Sequence, residues 1–292
     1  MNRQGYIGGS DIATVLGLSK WKTRLQLWGE KTGLIEPDDI SGIEAVELGT
    51  ELEDFVAKKF TRKTGKNVRQ APMHYHHKTY DYMRCQVDRL VTGTNELLEC
   101  KTTSAWRVKD WEGEEIPADY ICQVMWQLGI TGRDVGYIAV LIGGQKFVWK
   151  KIDFDKDFFD KMVSEAILFW ECVQKKVEPV AVGEDNDLII KFNPTHNDKI
   201  KEADEDLNSI IALLQETKMH ISEMEKAKDE TEARIKQIIG ENLGIKTSKY
   251  LVTWKAQQKT SVDTDKMKEN GIYDAYKKVG ETRVLRIKLG EK

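Results

Sequence analysis

Two short strand-like runs followed by an apolar helix limit most strongly how this chain can fold. The runs RCQVDRLV (84–91) and NELLECKTTS (95–104) are joined by the turn-forming sequence TGTN, which predicts a β-hairpin. Side chains two residues apart on a strand share a face, so Glu99 and Lys101 project together. If the runs pair, Asp88 lies beside that face.

Two carboxylates with a neighbouring ammonium suit the hydrolysis of phosphodiesters. Carboxylate oxygens bind Mg²⁺, with Mn²⁺ as a possible substitute, and a bound metal activates water and neutralises developing charge. The lysine would orient or deprotonate the attacking water. Because 32% of the chain is charged, an exposed hairpin with ordinary surface charges is the competing interpretation. The helices predicted upstream and downstream of these runs favour an active site over an exposed hairpin.

The upstream helix adds a third acid. The sequence VELGTELEDFVAKKFTRKTGKNV (46–68) predicts an amphipathic helix that ends at Gly65. Glu53 sits beside its apolar stripe, close enough to turn toward a metal, although a single helix carboxylate is more often solvated. The stripe is predicted to contain Leu48, Leu52, Phe55, Val56 and Phe60.

The downstream helix carries a polar line on an otherwise apolar surface. The sequence IPADYICQVMWQLGITG (116–132) predicts a helix, with Pro117 in its first turn and Gly132 at its end. Tyr120, Gln123 and Gln127 follow one another at i, i+3 and i+7. An outward-facing helix surface normally carries charge, so this line indicates hydrogen bonding to a substrate or to the carboxylates.

Further strands and helices predict a mixed α/β sheet flanked by helices, with an appended unit. Residues 134–144 and 145–154 read as two strands joined at a Gly-Gly turn, and a long helix follows over about 155–176. We therefore expect a core at 1–180 and a helical and β appendage at 190–292. The appendage should hold a charged helix at 197–240, strands at 250–260 and 282–290, and a short helical piece near 265–271. Two of the near-heptad layers of the charged helix are polar, which disfavours a long coiled coil.

Charge and cysteine usage place the chain inside a cell. The net charge of −3 argues at first sight against DNA binding, but basic residues cluster around Trp21 and in the run 58–69. An exposed tryptophan among lysines is a candidate for stacking on DNA. Four widely separated cysteines indicate reduced thiols. With no signal sequence or membrane span evident, we expect a cytoplasmic protein.

The order of these motifs resembles the YqaJ-like viral recombinase and lambda exonuclease family, which belongs to the PD-(D/E)XK nuclease superfamily of restriction-endonuclease-like fold. The resemblance covers roughly residues 1–175. It implies that Asp88 and Glu99 bind the metal together with the Cys100 carbonyl, and that Lys101 handles the water. It also implies that Glu53 helps to bind a second metal and that catalytic support comes from Gln123, with Tyr120 before it.

The family resemblance extends to a pocket for the 5′-phosphate of a DNA end. Arg3 and Ser10 match the opening motif, and Arg107 matches a further arginine of that pocket. Physically, Ser10 precedes a predicted helix over DIATVLGLS, whose first N–H groups would favour an anion; Ser10 is equally an ordinary N-cap. Gln86 stands where the lambda enzyme offers a hydroxyl, so we expect a weaker or differently shaped pocket here.

The resemblance implies a Mg²⁺-dependent exonuclease that digests linear double-stranded DNA 5′→3′ and leaves 3′ single-stranded tails. It also implies a single-strand annealing protein as partner, a ring-shaped homo-oligomer and a phage or prophage origin in a bacterial host. Two alternatives remain open. One is an endonuclease with the same core, and the other is a non-catalytic scaffold that binds DNA or a recombination partner.

Overall fold

The computed structural model describes residues 3–40, 42–72, 74–280 and 284–287. The chain divides into two compact units, Met1–Phe192 and Asn193–Lys292. The first unit extends beyond the boundary at residue 180 that the sequence predicted. Within the described ranges, no helix is both long and apolar enough to cross a membrane.

A five-stranded mixed sheet forms the centre of the first unit. The strands of this unit are β1 (Val68–Gln70), β2 (Tyr75–His76), β3 (Arg84–Cys85), β4 (Arg89–Val91), β5 (Glu96–Thr103), β6 (Val135–Ile142) and β7 (Lys146–Asp153). The sheet order is β1-β4-β5-β6-β7, and β2 pairs with β3 separately. Strands β5 and β6 are parallel, whereas the other neighbours are antiparallel.

The predicted hairpin forms, but its first strand is interrupted. Strand β4 pairs with β5, with Arg89 opposite Leu98, while the start of the predicted run forms β3 and pairs with β2. The break falls at residues 86–88. There the Asp88 carboxylate accepts the Cys100 N–H at 2.7 Å, so a side chain takes the place of a backbone carbonyl of a continuing strand.

Helices cover both faces of the sheet. They are α1 (Ile12–Val15), α2 (Arg24–Thr32), α3 (Glu44–Thr64), α4 (Ala118–Thr131), α5 (Lys156–Lys175) and α6 (Asn186–Phe192), with a 3₁₀ segment at Ala105–Trp111. Helix α3 packs on one face, where Phe60 meets Leu98 and Tyr137 in one apolar cluster. Helices α4 and α5 pack on the other face with Leu97 and Ile138. The alternation of side chains along β5 separates the two clusters.

Left-handed glycines end α3 and α4 as the sequence predicted, at Gly65 (φ 73°) and Gly132 (φ 66°). The predicted apolar stripe of α3 is wrong in part, since Leu48 and Phe55 are 44% and 46% exposed. The buried side chains of α3 all lie from Val56 onward. The helix therefore contacts the sheet mainly through its C-terminal half.

The second unit is built around one long helix. It contains α7 (Asp206–Ile239), the hairpin of β8 (Gly244–Lys246) and β9 (Leu251–Thr253), and the short helices α8 (Thr264–Glu269) and α9 (Tyr273–Tyr276). The strand predicted at 250–260 is much shorter, and β8 was not predicted. The described part of the strand predicted at 282–290, residues 284–287, is not in a strand; its other residues lie outside the described ranges.

Candidate active site

Strand β5 brings two of the predicted site residues together on the face that α4 covers. Glu99 is buried, with 3% of its side chain exposed, and its Oε1 lies 2.6 Å from the Nζ of Lys101. Asp88 joins them from the break before β4 through its hydrogen bond to the Cys100 N–H. The structure thus assembles Asp88, Glu99 and Lys101 into one cluster.

The polar line predicted on α4 points into this cluster. The Gln123 side-chain amide donates to Glu99 Oε1 at 2.5 Å, and the Gln127 amide donates to Glu99 Oε2 at 2.6 Å. Gln127 also donates to the backbone carbonyl of Gln86 at 2.8 Å. The ring of Tyr120 lies 5.9 Å from Lys101 Nζ. Two neutral amide donors therefore hold the Glu99 carboxylate in a fixed orientation.

The cluster is short of positive charge. Burial, and then the nearby Glu99 carboxylate, raises the pKa of Asp88 to about 8. Burial opposes the charge of Lys101, but the carboxylates of Glu99 and Asp88 outweigh it and raise the pKa of the lysine. One ammonium thus faces two carboxylates, and a divalent cation would supply the missing charge.

The donor set fits Mg²⁺ held by few protein ligands. Within the described ranges no group of three or more His, Cys, Asp or Glu side chains is arranged to hold a metal. Mg²⁺ commonly takes one or two carboxylates and keeps several waters, so Asp88 and Glu99 suffice. The Cys100 side chain belongs to the apolar cluster under α3, and burial raises its thiol pKa. Only the backbone of Cys100 is thus suited to a metal.

Glu53 lies near the cluster but is paired with an arginine. Its carboxylate forms an ion pair with the Arg89 guanidinium, which also lies 3.2 Å from Asp54. Arg89 is 7% exposed, and the Glu53 charge contributes to the raised pKa of Asp88 after the effects of burial and Glu99. A second metal at Glu53 would have to compete with Arg89. Sequence reasoning missed Arg89, although a charge inside a short apolar strand is a signal for a buried partner.

Arg3 and Ser10 meet at a small pocket beside the cluster. The Arg3 guanidinium donates to Ser10 Oγ at 2.6 Å. A cavity of about 150 Å³ adjoins them and is also lined by Gln86 and Gln123. Because Gln123 contacts Glu99 as well, this residue connects the pocket to the carboxylates.

The expectation that Ser10 caps a long helix is wrong. Helix α1 has only four residues, begins at Ile12, and has Asp11 at its N-cap position without a side-chain capping bond. The helix-terminus argument for anion binding therefore fails. Asp11 instead accepts the Gly8 N–H at 3.0 Å and lies 2.8 Å from Nζ of the buried Lys31.

Arg107 is not among the residues that line the Arg3–Ser10 pocket. Its Nε donates to Asp110 at 2.9 Å within the 3₁₀ segment, and its guanidinium carbon lies 6.0 Å from the centre of the Trp21 ring. Trp21 is 76% exposed. The role of Arg107 at the 5′-phosphate therefore stays a prediction, and in this structure its guanidinium lies beside Trp21.

The mixed sheet flanked by helices, with one acidic residue on β5 and another just before β4, is a restriction-endonuclease-like fold. The alkaline exonuclease LHK-Exo from Laribacter hongkongensis shares it, with a TM-score of 0.52 and 22% sequence identity over 60% of this chain and 90% of that chain. The structure of LHK-Exo in complex with dAMP matches equally, with a TM-score of 0.52 and 23% identity.

Sequence comparison identifies the family. The model of the YqaJ-like viral recombinase domain matches residues 1–134. The uncharacterized protein YqaJ of Bacillus subtilis (strain 168) is 37% identical over an alignment 298 positions long, which spans 100% of this chain and 93% of that protein. The chain belongs to the YqaJ-like viral recombinase family, which confirms the resemblance drawn from the motifs.

Proposed function

We propose that this protein is a Mg²⁺-dependent exonuclease that degrades linear double-stranded DNA 5′→3′ and leaves 3′ single-stranded tails. The observation that carries the proposal is the dual position of Gln123. Its amide contacts Glu99, and the same side chain lines the pocket of Arg3 and Ser10. The pocket proposed to bind a terminal phosphate therefore adjoins the carboxylates proposed to hydrolyse the phosphodiester.

The side chains divide the chemistry between them. Asp88 and Glu99 would hold Mg²⁺, which neutralises charge on the phosphate and activates water when bound. Glu99 is kept in place by Gln123 and Gln127. Lys101, whose ammonium form the carboxylates favour, donates hydrogen bonds that orient the attacking water or the phosphate oxygens. This role is electrostatic stabilisation by a preorganised donor.

The pocket would set the 5′→3′ direction of digestion. The Arg3 guanidinium can donate to a terminal phosphate in the charge-assisted geometry that arginine favours, and Ser10 Oγ is within its reach. A 5′-phosphate held there would align the first phosphodiester with the carboxylates.

The family context supports the biological setting of the proposal. A nuclease that produces 3′ tails supplies the substrate of a single-strand annealing protein, so such a protein is the proposed partner. A ring of several copies around the duplex would keep the enzyme on its DNA. The proposed location is the cytoplasm of a bacterium that carries the phage or prophage.

The test is digestion of a linear duplex that carries a 5′-phosphate at one end only, with a separate label on each strand. The proposal predicts Mg²⁺-dependent loss of the phosphorylated strand alone. Arg3→Ala and Ser10→Ala should remove the preference for 5′-phosphorylated ends, while phosphodiester hydrolysis itself continues. Cleavage of closed circular DNA would favour an endonuclease instead. Absence of cleavage with either Mg²⁺ or Mn²⁺ would favour a non-catalytic scaffold.

A further inference from the structure

Two tryptophans project into solvent beside the strand that carries the site. Trp106 is 93% exposed and Trp21 is 76% exposed. Tryptophan is highly buried on average in folded proteins. Neither indole is required to fill the core, because both lie outside the two apolar clusters of the first unit.

Arg107 links the two tryptophans, which are far apart in sequence. The Arg107 guanidinium lies 6.0 Å from the Trp21 ring centre, and Trp106 is the residue immediately before that arginine. The surface made by Trp21, Trp106 and Arg107 is called here the tryptophan surface.

The loop that presents Trp21 is fixed by hydrogen bonds. Ser19 Oγ accepts the backbone N–H groups of Trp21 and Lys22 at 3.2 and 3.3 Å. Directly afterwards, the Thr23 side chain caps α2 by accepting the Gln26 N–H. A rigid loop loses little conformational entropy when a ligand binds.

The tryptophan surface lies close to the carboxylate cluster. Trp106 follows Lys101 by five residues, and a fully extended chain of that length spans at most about 17 Å. Single-strand-binding sites cover about 4 to 16 nucleotides, so one strand could contact both places.

Two exposed lysines near the tryptophan surface are available to contact phosphates, while acidic side chains such as Glu36, Asp38 and Glu184 also line the cavity beside Trp21. Lys20 directly precedes Trp21 and Lys109 lies three residues after Trp106; both are exposed, and neither forms an ion pair within the described ranges. Free lysines beside exposed indoles match a ligand that carries both phosphates and flat bases. An apolar protein partner would leave these lysines without a role.

We propose that Trp21 and Trp106 form a stacking platform for unpaired DNA bases next to the active site. The platform rests on the proposed nuclease function and adds to it a way of holding one strand once its partner is being removed. Arg107 supports the Trp21 ring by a cation–π contact. Lys20 and Lys109 attract the phosphates of the DNA backbone.

The test measures binding in EDTA, where hydrolysis that depends on a divalent metal does not occur. The probe is a fluorescent oligothymidylate of about 12 nucleotides, within the range of single-strand sites, and its abasic analogue of equal length. Base stacking contributes about 1–3 kcal/mol, so Trp21→Ala and Trp106→Ala should each weaken binding of the oligothymidylate about tenfold. Trp106→Phe should retain most of the affinity.

The abasic analogue separates stacking from other effects. It keeps the phosphates but has no bases, so its affinity should be the same for the wild type and for both alanine variants. Trp254→Ala is the matched control, because Trp254 is 52% exposed in the second unit, and it should leave both affinities unchanged.

Three outcomes would overturn the platform: unchanged oligothymidylate binding in both alanine variants, an equal loss for the abasic probe, or an equal loss in Trp254→Ala. If the alanine variants bind DNA normally but lose binding to a protein partner, the surface is a protein interface. Because binding is measured without cleavage, failure of the platform is distinguishable from failure of the nuclease proposal.

Discussion

The two carboxylates of the candidate site have different surroundings. Glu99 has two side-chain amide donors and an ammonium within 2.5 to 2.6 Å, so its carboxylate is held in one orientation. Asp88 accepts one backbone N–H, from Cys100, and its pKa is raised to about 8 by burial and by Glu99. Without a bound metal, the fold therefore destabilises the ionised form of Asp88.

The raised pKa of Asp88 predicts that Asp88→Asn is more stable than the wild type in EDTA, by an amount that depends on pH. The folded pKa of Asp88 lies above the unfolded value of about 3.9, so the wild type loses stability as pH rises through the window from about 4 to 8. Asparagine does not ionise and can still accept the Cys100 N–H. We expect the advantage of the variant in urea unfolding to grow across this window and level off above it. A stability difference between variant and wild type that does not change with pH would contradict the raised pKa of Asp88.

Lys31 and Asp11 form a buried pair beneath the Arg3–Ser10 pocket. Lys31 Nζ lies 2.8 Å from Asp11 and 2.7 Å from the Arg3 carbonyl oxygen, and its side chain is only 4% exposed. Asp11 in turn binds the Gly8 N–H and lies 3.4 Å from the Arg3 guanidinium. This pair therefore positions the loop that would grip the phosphate.

Lys31→Met should destabilise the first unit by about 3 kcal/mol, because the buried Asp11 loses its closest cation and keeps only the Arg3 guanidinium at 3.4 Å and the Gly8 N–H. It should also reduce the preference for 5′-phosphorylated ends in the fraction that stays folded. Urea unfolding and digestion of end-labelled duplexes measure the two effects. Lys175→Met is the control, since its pair with Glu171 is exposed and is worth at most about 1 kcal/mol. Equal losses in both variants would contradict the positioning role.

The regular elements were largely predictable because their patterns are local. The alternation around Glu99 and Lys101 and the polar line with Gln123 fixed which side chains share a face, and the structure follows both. Features set by distant residues were not predictable. Arg89 pairs with Glu53 across 36 residues, and Arg107 lies beside Trp21, which is far away in sequence. A charge within an apolar strand indicates that a buried partner exists, but sequence periodicity does not say which distant residue that partner is.

The packing of α4 on α5 depends on a glycine and gives a prediction for these helices. A Cβ at Gly129 would lie 2.2 Å from ring atoms of Phe159, and that ring is itself in contact with Trp126 and Phe154. Gly129→Ala should therefore destabilise the protein by about 1–3 kcal/mol through overpacking, despite the higher helix propensity of alanine.

Urea unfolding measures the effect of Gly129→Ala, and Gly42→Ala is the control because nothing lies within 4 Å of its added Cβ. Since α4 carries Gln123 and Gln127, the Gly129 variant should also lower the rate of cleavage. A stability equal to that of the control would show that the two helices adjust without cost.

The whole chain consists of two units, and the apolar clusters that surround the site lie entirely in the first. Segment 183–192 belongs to that unit through specific contacts. Thr23 donates a hydrogen bond to the buried Asp185, and the Phe192 ring packs edge-on against Trp28 at 6.1 Å. The first unit should therefore fold without the second, provided that it extends to Phe192.

Two truncations test this boundary. A chain that ends at residue 192 should unfold cooperatively. A chain that ends at residue 180 should be less stable by about 2–3 kcal/mol, from one hydrogen bond to a charged group and one aromatic pair. Urea unfolding followed by tryptophan fluorescence compares them. Equal stability would place the boundary near 180, as the sequence predicted, and loss of folding in both would make the second unit part of the core.

The most direct test of the central claim is the dependence of linear duplex hydrolysis on Mg²⁺ in the wild type, Asp88→Asn and Glu99→Gln. Both substitutions keep the size of the side chain but remove its charge. We predict cleavage by the wild type that requires Mg²⁺ and stops in EDTA. In the folded variants it should fall about a thousandfold, the equivalent of several kcal/mol of lost metal stabilisation. Wild-type rates in either variant, or cleavage that persists in EDTA, would contradict a metal-dependent site at these two carboxylates.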